Sequence, residues 1–121
     1  MAFVLAKETD AFPYPVTIPV VTAKGVRQSH RIELIFKRLS RAEINALQPS
    51  IEDEGDSLER DTDYVMAIAE DWKGVNGPDG SAIPFSRESV RDLLDFAPSA
   101  ALAIVRAFTE ATNGGGAKRG N

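Results

Sequence analysis

The sequence predicts an α+β fold in which a small antiparallel sheet or hairpin comes first and a bundle of about four short helices follows. β-branched residues, prolines and basic groups fill the chain up to about Leu39, whereas helix-forming residues predominate after it. Apolar residues recur at every second position in the first part and at every third or fourth position in the second. With 121 residues and 43% apolar side chains, one domain can bury its own core.

Composition excludes several classes of function. The chain has no cysteine and one histidine, which rules out disulfides, thiol catalysis, Cys-ligated zinc and clusters of histidine ligands. The first ten residues lack the features of a signal peptide, and no segment approaches the roughly 20 continuous apolar residues of a membrane span. We therefore expect a cytosolic protein without a membrane partner. A net charge of -4 also disfavours generic nucleic-acid binding.

Alternating apolar and polar residues predict a β-hairpin over about residues 14–37. In the first strand the alternation runs from Tyr14 to Val20, and Pro15 and Pro19 place this strand at a sheet edge. A turn is expected around Lys24-Gly25. One face of the second strand carries His30, Ile32, Leu34 and Phe36.

A lone hairpin is only marginally stable in water, so a further strand or a covering helix is needed. The apolar residues Phe3-Val4-Leu5 are a candidate third strand. Helices can cover the remaining apolar face, because the rest of the chain has helical spacing.

Capping residues and apolar spacing predict the first two helices. Ser40 and Glu43 form a capping-box pattern at the start of the first. Residues 51–63 are rich in carboxylates and predict a solvated linker, with Asp61 and Asp63 at the positive end of the second helix dipole. One stripe of that helix is expected to carry Tyr64, Val65, Ile68 and Trp72.

Residues 73–85 predict an ordered loop or tiny hairpin, because turn-forming residues are dense there. Ser86 is the expected N-cap of a third helix over about 87–95, and Pro98 is expected in the first turn of a fourth helix that ends near Thr112. The inward residues are Val90, Leu93 and Leu94 in the third helix and Ala101, Ile104, Val105 and Phe108 in the fourth, opposite Arg106 and Glu110. Residues 1–112 then form a single domain, and the Gly-rich residues 113–121 form a flexible tail.

No catalytic, metal-binding or cofactor-binding motif is present in the sequence. His30 is expected to be an ordinary strand histidine, since no nucleophile and base flank it. The acidic run lacks the ligand spacing of an EF-hand loop, and Gly74, Gly77 and Gly80 lack the Lys-Ser/Thr of a phosphate-binding loop. We therefore predict a protein that is not an enzyme and that binds neither a cofactor nor a metal.

Charge and aromatic residues favour protein contacts. Basic residues from Lys24 to Arg41 precede the acidic segment 52–71, and this asymmetry favours protein contacts or simple solvation over nucleic-acid binding. Complementary charges also favour self-association. Trp72 and Phe85 flank the loop and are expected to pack on each other, which leaves an outward Val75 available to a partner.

An ordered set of short motifs runs from residue 71 to the Gly-rich end. The set comprises Asp71-Trp72-Lys73-Gly74-Val75, a turn-rich stretch, Ile83-Pro84-Phe85-Ser86, Leu93-Leu94, Pro98 and Ala107-Phe108. In this order they resemble the tail assembly chaperones of long-tailed bacteriophages, over about residues 62–121. The hairpin before them is similar to the start of such short phage proteins.

This resemblance implies a protein of the host cytoplasm, absent from the mature virion, that binds the tape measure protein and keeps it soluble. It also implies help in assembling tail tube subunits, often through a longer frameshifted form whose extra domain recruits them; the Gly-rich tail suits such a junction. The candidate partner-binding residues are Trp72, Val75, Ile83, Phe85, Leu94 and Phe108.

Two other functions stay open from the sequence. One is a small structural tail or connector protein that is retained in the virion and adds strands at the edge strand 14–21. The other is a nucleic-acid-binding regulator that uses Lys24 to Arg41, which the acidic pI of about 5.0 disfavours.

Overall fold

A computed structural model describes residues 11–47 and 57–113 and confirms the α+β architecture. Strands β1, β2 and β3 form an antiparallel sheet in that order, and one face of the sheet shares a core with α2, α3 and α4. The elements in chain order are β1 (Phe12–Val21), β2 (Arg27–Phe36), α1 (Arg41–Ala46), α2 (Ser57–Ile68), β3 (Ala69–Lys73), α3 (Arg87–Phe96) and α4 (Ala100–Thr112).

Strands β1 and β2 form the predicted hairpin, paired without interruption from Phe12 opposite Phe36 to Val21 opposite Arg27. Gly25 closes the turn with a φ of 77°, a conformation that glycine adopts without a steric penalty. Strand β1 lies at the sheet edge, as its prolines predict. The buried side chains of the inner face are Val16, Ile18, Ile32, Leu34 and Phe36.

The third strand of the described sheet is β3, and the prediction that Trp72 lies on a helical stripe is wrong. Helix α2 ends at Ile68, whose carbonyl accepts a hydrogen bond from the Lys37 N–H at 2.8 Å. Trp72 then lies opposite Leu34 in the sheet. Its spacing from Ile68 fits a helix, but pairing with β2 satisfies the backbone and buries the same side chain. The other candidate strand, Phe3-Val4-Leu5, lies outside the described residues.

Helix α2 begins at Ser57, inside the segment predicted to be a linker, so Asp61 and Asp63 do not mark its start. Thr62 and Val65 are buried, and the Thr62 hydroxyl donates to the Leu58 carbonyl at 2.7 Å. Two carboxylates of this segment, Glu59 and Asp63, lie on the outer side of the helix and pair with arginines of α3. The linker prediction is therefore wrong for residues 57–63, which form the first turns of α2, while residues 51–56 lie outside the described part of the chain.

The two predicted helix caps and the tiny hairpin are confirmed. In α1, Ser40 and Glu43 exchange hydrogen bonds of 2.7 and 3.1 Å, as a capping box requires. In α3, Ser86 caps the helix through the Ser89 N–H at 3.1 Å. Within 73–85, Asn76 lies opposite Ala82 in an isolated bridge.

Helix α4 begins at Ala100, two residues after Pro98, so Pro98 precedes its first turn rather than lying in it. The Ser99 hydroxyl donates to the Pro19 carbonyl at 2.6 Å and makes no cap. Glu110, predicted on the solvent face, is half-buried because its carboxylate accepts a hydrogen bond from the Tyr14 hydroxyl at 2.8 Å. The tail after Asn113 lies outside the described residues, and the domain boundary at 112 stays a prediction.

Candidate functional site

An apolar groove of about 380 Å³ opens between the hairpin and α3. The inner face of the hairpin forms one wall, α3 forms the other, and the loop after β3 closes one end. The Phe96 side chain stands at its rim and is 76% exposed. An aromatic side chain left this open beside a concave apolar surface is typical of a protein-binding site. The apolar side chains that line this apolar groove are those of Ile18, Val20, Ile32, Val75, Ile83, Leu93, Phe96 and Ala97.

The loop end of the apolar groove is fixed by Trp72. Its ring meets that of Phe85 edge-on, with centroids 5.2 Å apart, which confirms the predicted packing. The indole N–H donates to the Ile83 carbonyl at 2.7 Å, and the Ile83 N–H donates to the Val75 carbonyl at 2.9 Å. Because Trp72 itself is buried in the core, this part of the groove is held in place before any partner binds.

The structure brings together only part of the predicted partner-binding set. Val75 and Ile83 line the apolar groove side by side, and Phe85 is half-buried behind them. Val75 was expected to point outward, but it is half-buried against the core. The remaining three residues, Trp72, Leu94 and Phe108, are buried in the core and do not line the apolar groove.

Several lining residues are absent from the predicted partner-binding set, among them Val20 and Phe96. Phe96 follows Leu93 by three positions, so it extends the apolar stripe of α3 beyond the part that the core covers. This extra apolar position in α3 could have identified Phe96 from the sequence. No sequence pattern identifies Val20 as a site residue, because its half-buried side chain lines the groove only through the position of α3.

An exposed ion-pair network joins α2 to α3. The Arg87 guanidinium contacts Glu59 at 2.9 Å and Asp63 at 2.6 Å, and Arg91 also pairs with Glu59. The hydrogen bonds from Arg91 and Arg87 hold the pKa of Glu59 below its usual value. Asp63 and then Glu59 raise the pKa of Arg87. The network orients α3, which is one wall of the apolar groove.

This network predicts an acid-dependent part of the stability. Because the pKa of Glu59 is lowered in the folded chain, the unfolded chain binds a proton first as the pH falls. The stabilisation is present at neutral pH and is lost as the pH falls through the folded-state pKa. Replacing Glu59 with glutamine should therefore reduce the change in urea midpoint between about pH 6 and about pH 3. Glu88→Gln, on α3 but outside the network, is the matched control; an unaltered acid dependence in Glu59→Gln would contradict the assignment.

The basic residues do not form one patch. The Lys37 ammonium donates to the Met66 carbonyl at 3.3 Å, and the Arg38 guanidinium lies 5.1 Å from the centre of the Phe12 ring. Arg27 and Arg31 lie on the outer face of β2, apart from those two. This dispersal disfavours the nucleic-acid hypothesis, which needs clustered cations.

The one histidine of the chain lies at the apolar groove, apart from any metal-binding group of the described residues. His30 is exposed on the hairpin wall of the apolar groove. Residues 11–47 and 57–113 contain no group of three or more His, Asp or Glu side chains that could hold a metal ion. Within the same ranges, no helix combines the length and the apolar character that crossing a bilayer requires.

The fold and the groove define a small α+β domain with one candidate binding site described above. The sequence profile of phage tail assembly chaperones matches residues 1–121, the whole chain. The chain therefore belongs to the phage tail assembly chaperone family, as the order of its motifs indicates. Proteins of this family act in the host cell while tails are assembled and are not enzymes. No curated protein and no solved structure matches the chain.

Proposed function

We propose that this chaperone binds the tape measure protein and keeps it soluble until tail tube subunits assemble around it. The observation that supports this most directly is the apolar groove with the exposed Phe96 at its rim. A long partner with exposed apolar stretches aggregates unless those stretches are covered, and a concave apolar surface covers them.

The shape of the groove suits temporary binding. It is open and shallow, so a bound segment stays partly in water and is released when a larger tube interface competes for it. Val75 and Ile83 supply apolar contacts near the loop, while Trp72, packed on Phe85, keeps them in position. Leu94 and Phe108 act by holding α3 and α4 in the core. Many copies of the chaperone would cover one tape measure chain.

Co-expression with the tape measure protein tests the proposal. The tape measure protein should become soluble and should co-elute with the wild-type chaperone. Phe96→Asp should lower the soluble amount by about fivefold or more, because it places a charge in the contact surface. Leu102→Asp is the matched control, since Leu102 is 55% exposed on α4 and lies outside the groove. An insoluble tape measure protein with the chaperone eluting alone would contradict the proposal.

Recruitment of tail tube subunits is proposed to use a longer frameshifted form of the chain. Its extra domain would follow the Gly-rich residues 113–121, which give it reach. The short chain would then need only the apolar groove. The short chain and a chain that ends at Asn113 should both keep the tape measure protein soluble, and only the longer form should bring in tube subunits.

The alternative, a structural tail or connector protein that adds strands at β1, meets an obstacle at that edge. Pro13, Pro15 and Pro19 lack the N–H groups that strand addition needs. The Pro19 carbonyl is already taken by the Ser99 hydroxyl. Mass spectrometry of purified virions tests the alternative, because a structural protein would be present there and the proposed chaperone would not.

A further inference from the structure

Among the described residues, part of strand β2 has no neighbouring strand on one side. The strand has 10 residues, but β3 pairs only with the end from Glu33 to Phe36. Gly74 then turns the chain away with a φ of 94°, at a point where a Cβ would lie 3.5 Å from the Ile32 Cα. The residues Arg27–Arg31 are all exposed, and no described residue pairs with them on that side. We call this segment the open edge.

The hairpin fixes which backbone groups face the open edge. Pairing between β1 and β2 is continuous across Pro13, Pro15 and Pro19, which have no N–H to donate. The alternate positions must therefore carry the hydrogen bonds between these strands, and their partners on β2 include Gln28, His30 and Ile32. The N–H and C=O groups of Arg27, Ser29 and Arg31 consequently point away from β1, toward the open edge.

The other edges of the described sheet are protected. Prolines and the Ser99 hydroxyl protect β1. On the outer side of β3, the Trp72 N–H is taken by the Asp71 carboxylate at 2.8 Å. Natural sheets block free edges in such ways because unpaired strands bind other chains. The open edge contains no proline, and no described side chain hydrogen-bonds to its backbone; its arginines are the protective feature that it has.

The two sides of the open edge differ in chemistry. On the inner side, His30 and Ile32 line the apolar groove, so a strand added here would place every second side chain in that groove. Asp92 also lines the groove and disfavours an acidic side chain there. On the outer side, Arg27 and Arg31 have no ion-pair partner among the described residues and favour acidic neighbours.

We propose that the open edge binds an extended segment of the tape measure protein in which apolar and acidic residues alternate. The segment continues the sheet where β3 leaves it, with its apolar side chains in the groove and its acidic side chains beside Arg27 and Arg31. Main-chain hydrogen bonds hold the segment, and the alternation selects it. The inference rests on the proposed function for the identity of the partner.

A pair of proline variants tests strand addition. Ser29→Pro removes an N–H from the open edge without removing a hydrogen bond to β1. Thr17→Pro is the matched control, because it removes an outward N–H at the β1 edge, where neighbouring positions already hold proline. Binding is measured by fluorescence anisotropy against overlapping peptides that span the tape measure protein. We expect Ser29→Pro to weaken binding of an alternating peptide by about tenfold or more and Thr17→Pro to leave it unchanged.

The same peptide reports its own conformation. Two N-methylated versions of the peptide are compared, one methylated at the odd-numbered residues and one at the even-numbered residues. Only every second residue of an added strand hydrogen-bonds to the edge, so one version should lose binding and the other should keep it. An equal loss of binding in the two methylated peptides would indicate a helix in the groove and would overturn the inference. If Ser29→Pro fails to fold by circular dichroism, the double variant Arg27→Glu and Arg31→Glu replaces it and should lose the acidic peptide.

The outcomes separate this inference from the proposed function. In one outcome, the wild-type chaperone solubilises the tape measure protein while Ser29→Pro and the charge-reversed variant match it in solubilisation and peptide binding. That result would overturn only the open-edge inference. A wild-type chaperone that solubilises nothing and binds no peptide would overturn both. If the chaperone forms a dimer that Ser29→Pro abolishes, and no peptide binds, then the edge pairs with a second copy of the chain and the inference is overturned.

Discussion

Phe108→Ala is expected to lower the free energy of unfolding by about 3–5 kcal/mol. Phe108 is 1% exposed on α4, and its ring meets the Phe36 ring edge-on at 5.2 Å. Phe36 in turn contacts Phe12 and Tyr14 on the same side of the sheet. Truncation at 108 therefore leaves a cavity where helix and sheet meet, and the rigid aromatic neighbours cannot readily fill it.

Urea denaturation followed by circular dichroism measures this effect. Leu102→Ala is the matched control, because Leu102 lies on the same helix but is 55% exposed. Its unfolding free energy should change by about 0.5 kcal/mol or less. A Phe108→Ala variant with nearly the wild-type urea midpoint would show that α4 is not packed on the sheet as described.

The elements that sequence predicts well are those with local signals. The hairpin follows from alternation and from the prolines of β1, and the starts of α1 and α3 follow from Ser40 and Ser86 with their partners three residues later. Phe108 is buried because it continues the apolar stripe of Ile104. In each case the determining contacts lie within a few residues along the chain or within one periodic pattern.

The elements that sequence misses depend on distant partners. The start of α2 could not be predicted, because Glu59 and Asp63 are typical of a solvated segment unless their pairing with Arg87 is known. Strand β3 was hidden because Trp72 continues a helical spacing, and only the neighbouring Leu34 on β2 makes a strand preferable. Tertiary pairing overrode local propensity in both segments.

The candidate site divides in the same way. The contact of Trp72 with Phe85 could be predicted because both residues flank one loop. The apolar groove could not, because it needs the hairpin, α3 and the loop in one place. The open edge depends on where β3 stops, and that is set by the turn at Gly74.

Trp72→Ala should also lower the free energy of unfolding by about 3–5 kcal/mol. The side chain is 6% exposed, contacts Phe85 and donates its N–H to the Ile83 carbonyl at 2.7 Å. Trp72→Phe keeps most of the ring contact but loses the hydrogen bond, and it should cost about 1–3 kcal/mol because the Ile83 carbonyl is left unpaired. Unfolding is followed by circular dichroism, because both substitutions remove the one tryptophan of the chain and with it the tryptophan fluorescence signal.

The loss of Trp72 should also affect binding in a way that the loss of Phe108 does not. Both variants remove a buried aromatic ring, but only Trp72 anchors the loop that carries Val75 and Ile83 into the apolar groove. At a temperature where both variants are folded, Trp72→Ala should co-elute with less tape measure protein than Phe108→Ala. Faster hydrogen exchange at the Ile83 N–H in Trp72→Ala alone would locate the cause in the loop. Equal co-elution in the two variants would show that binding does not require a fixed loop.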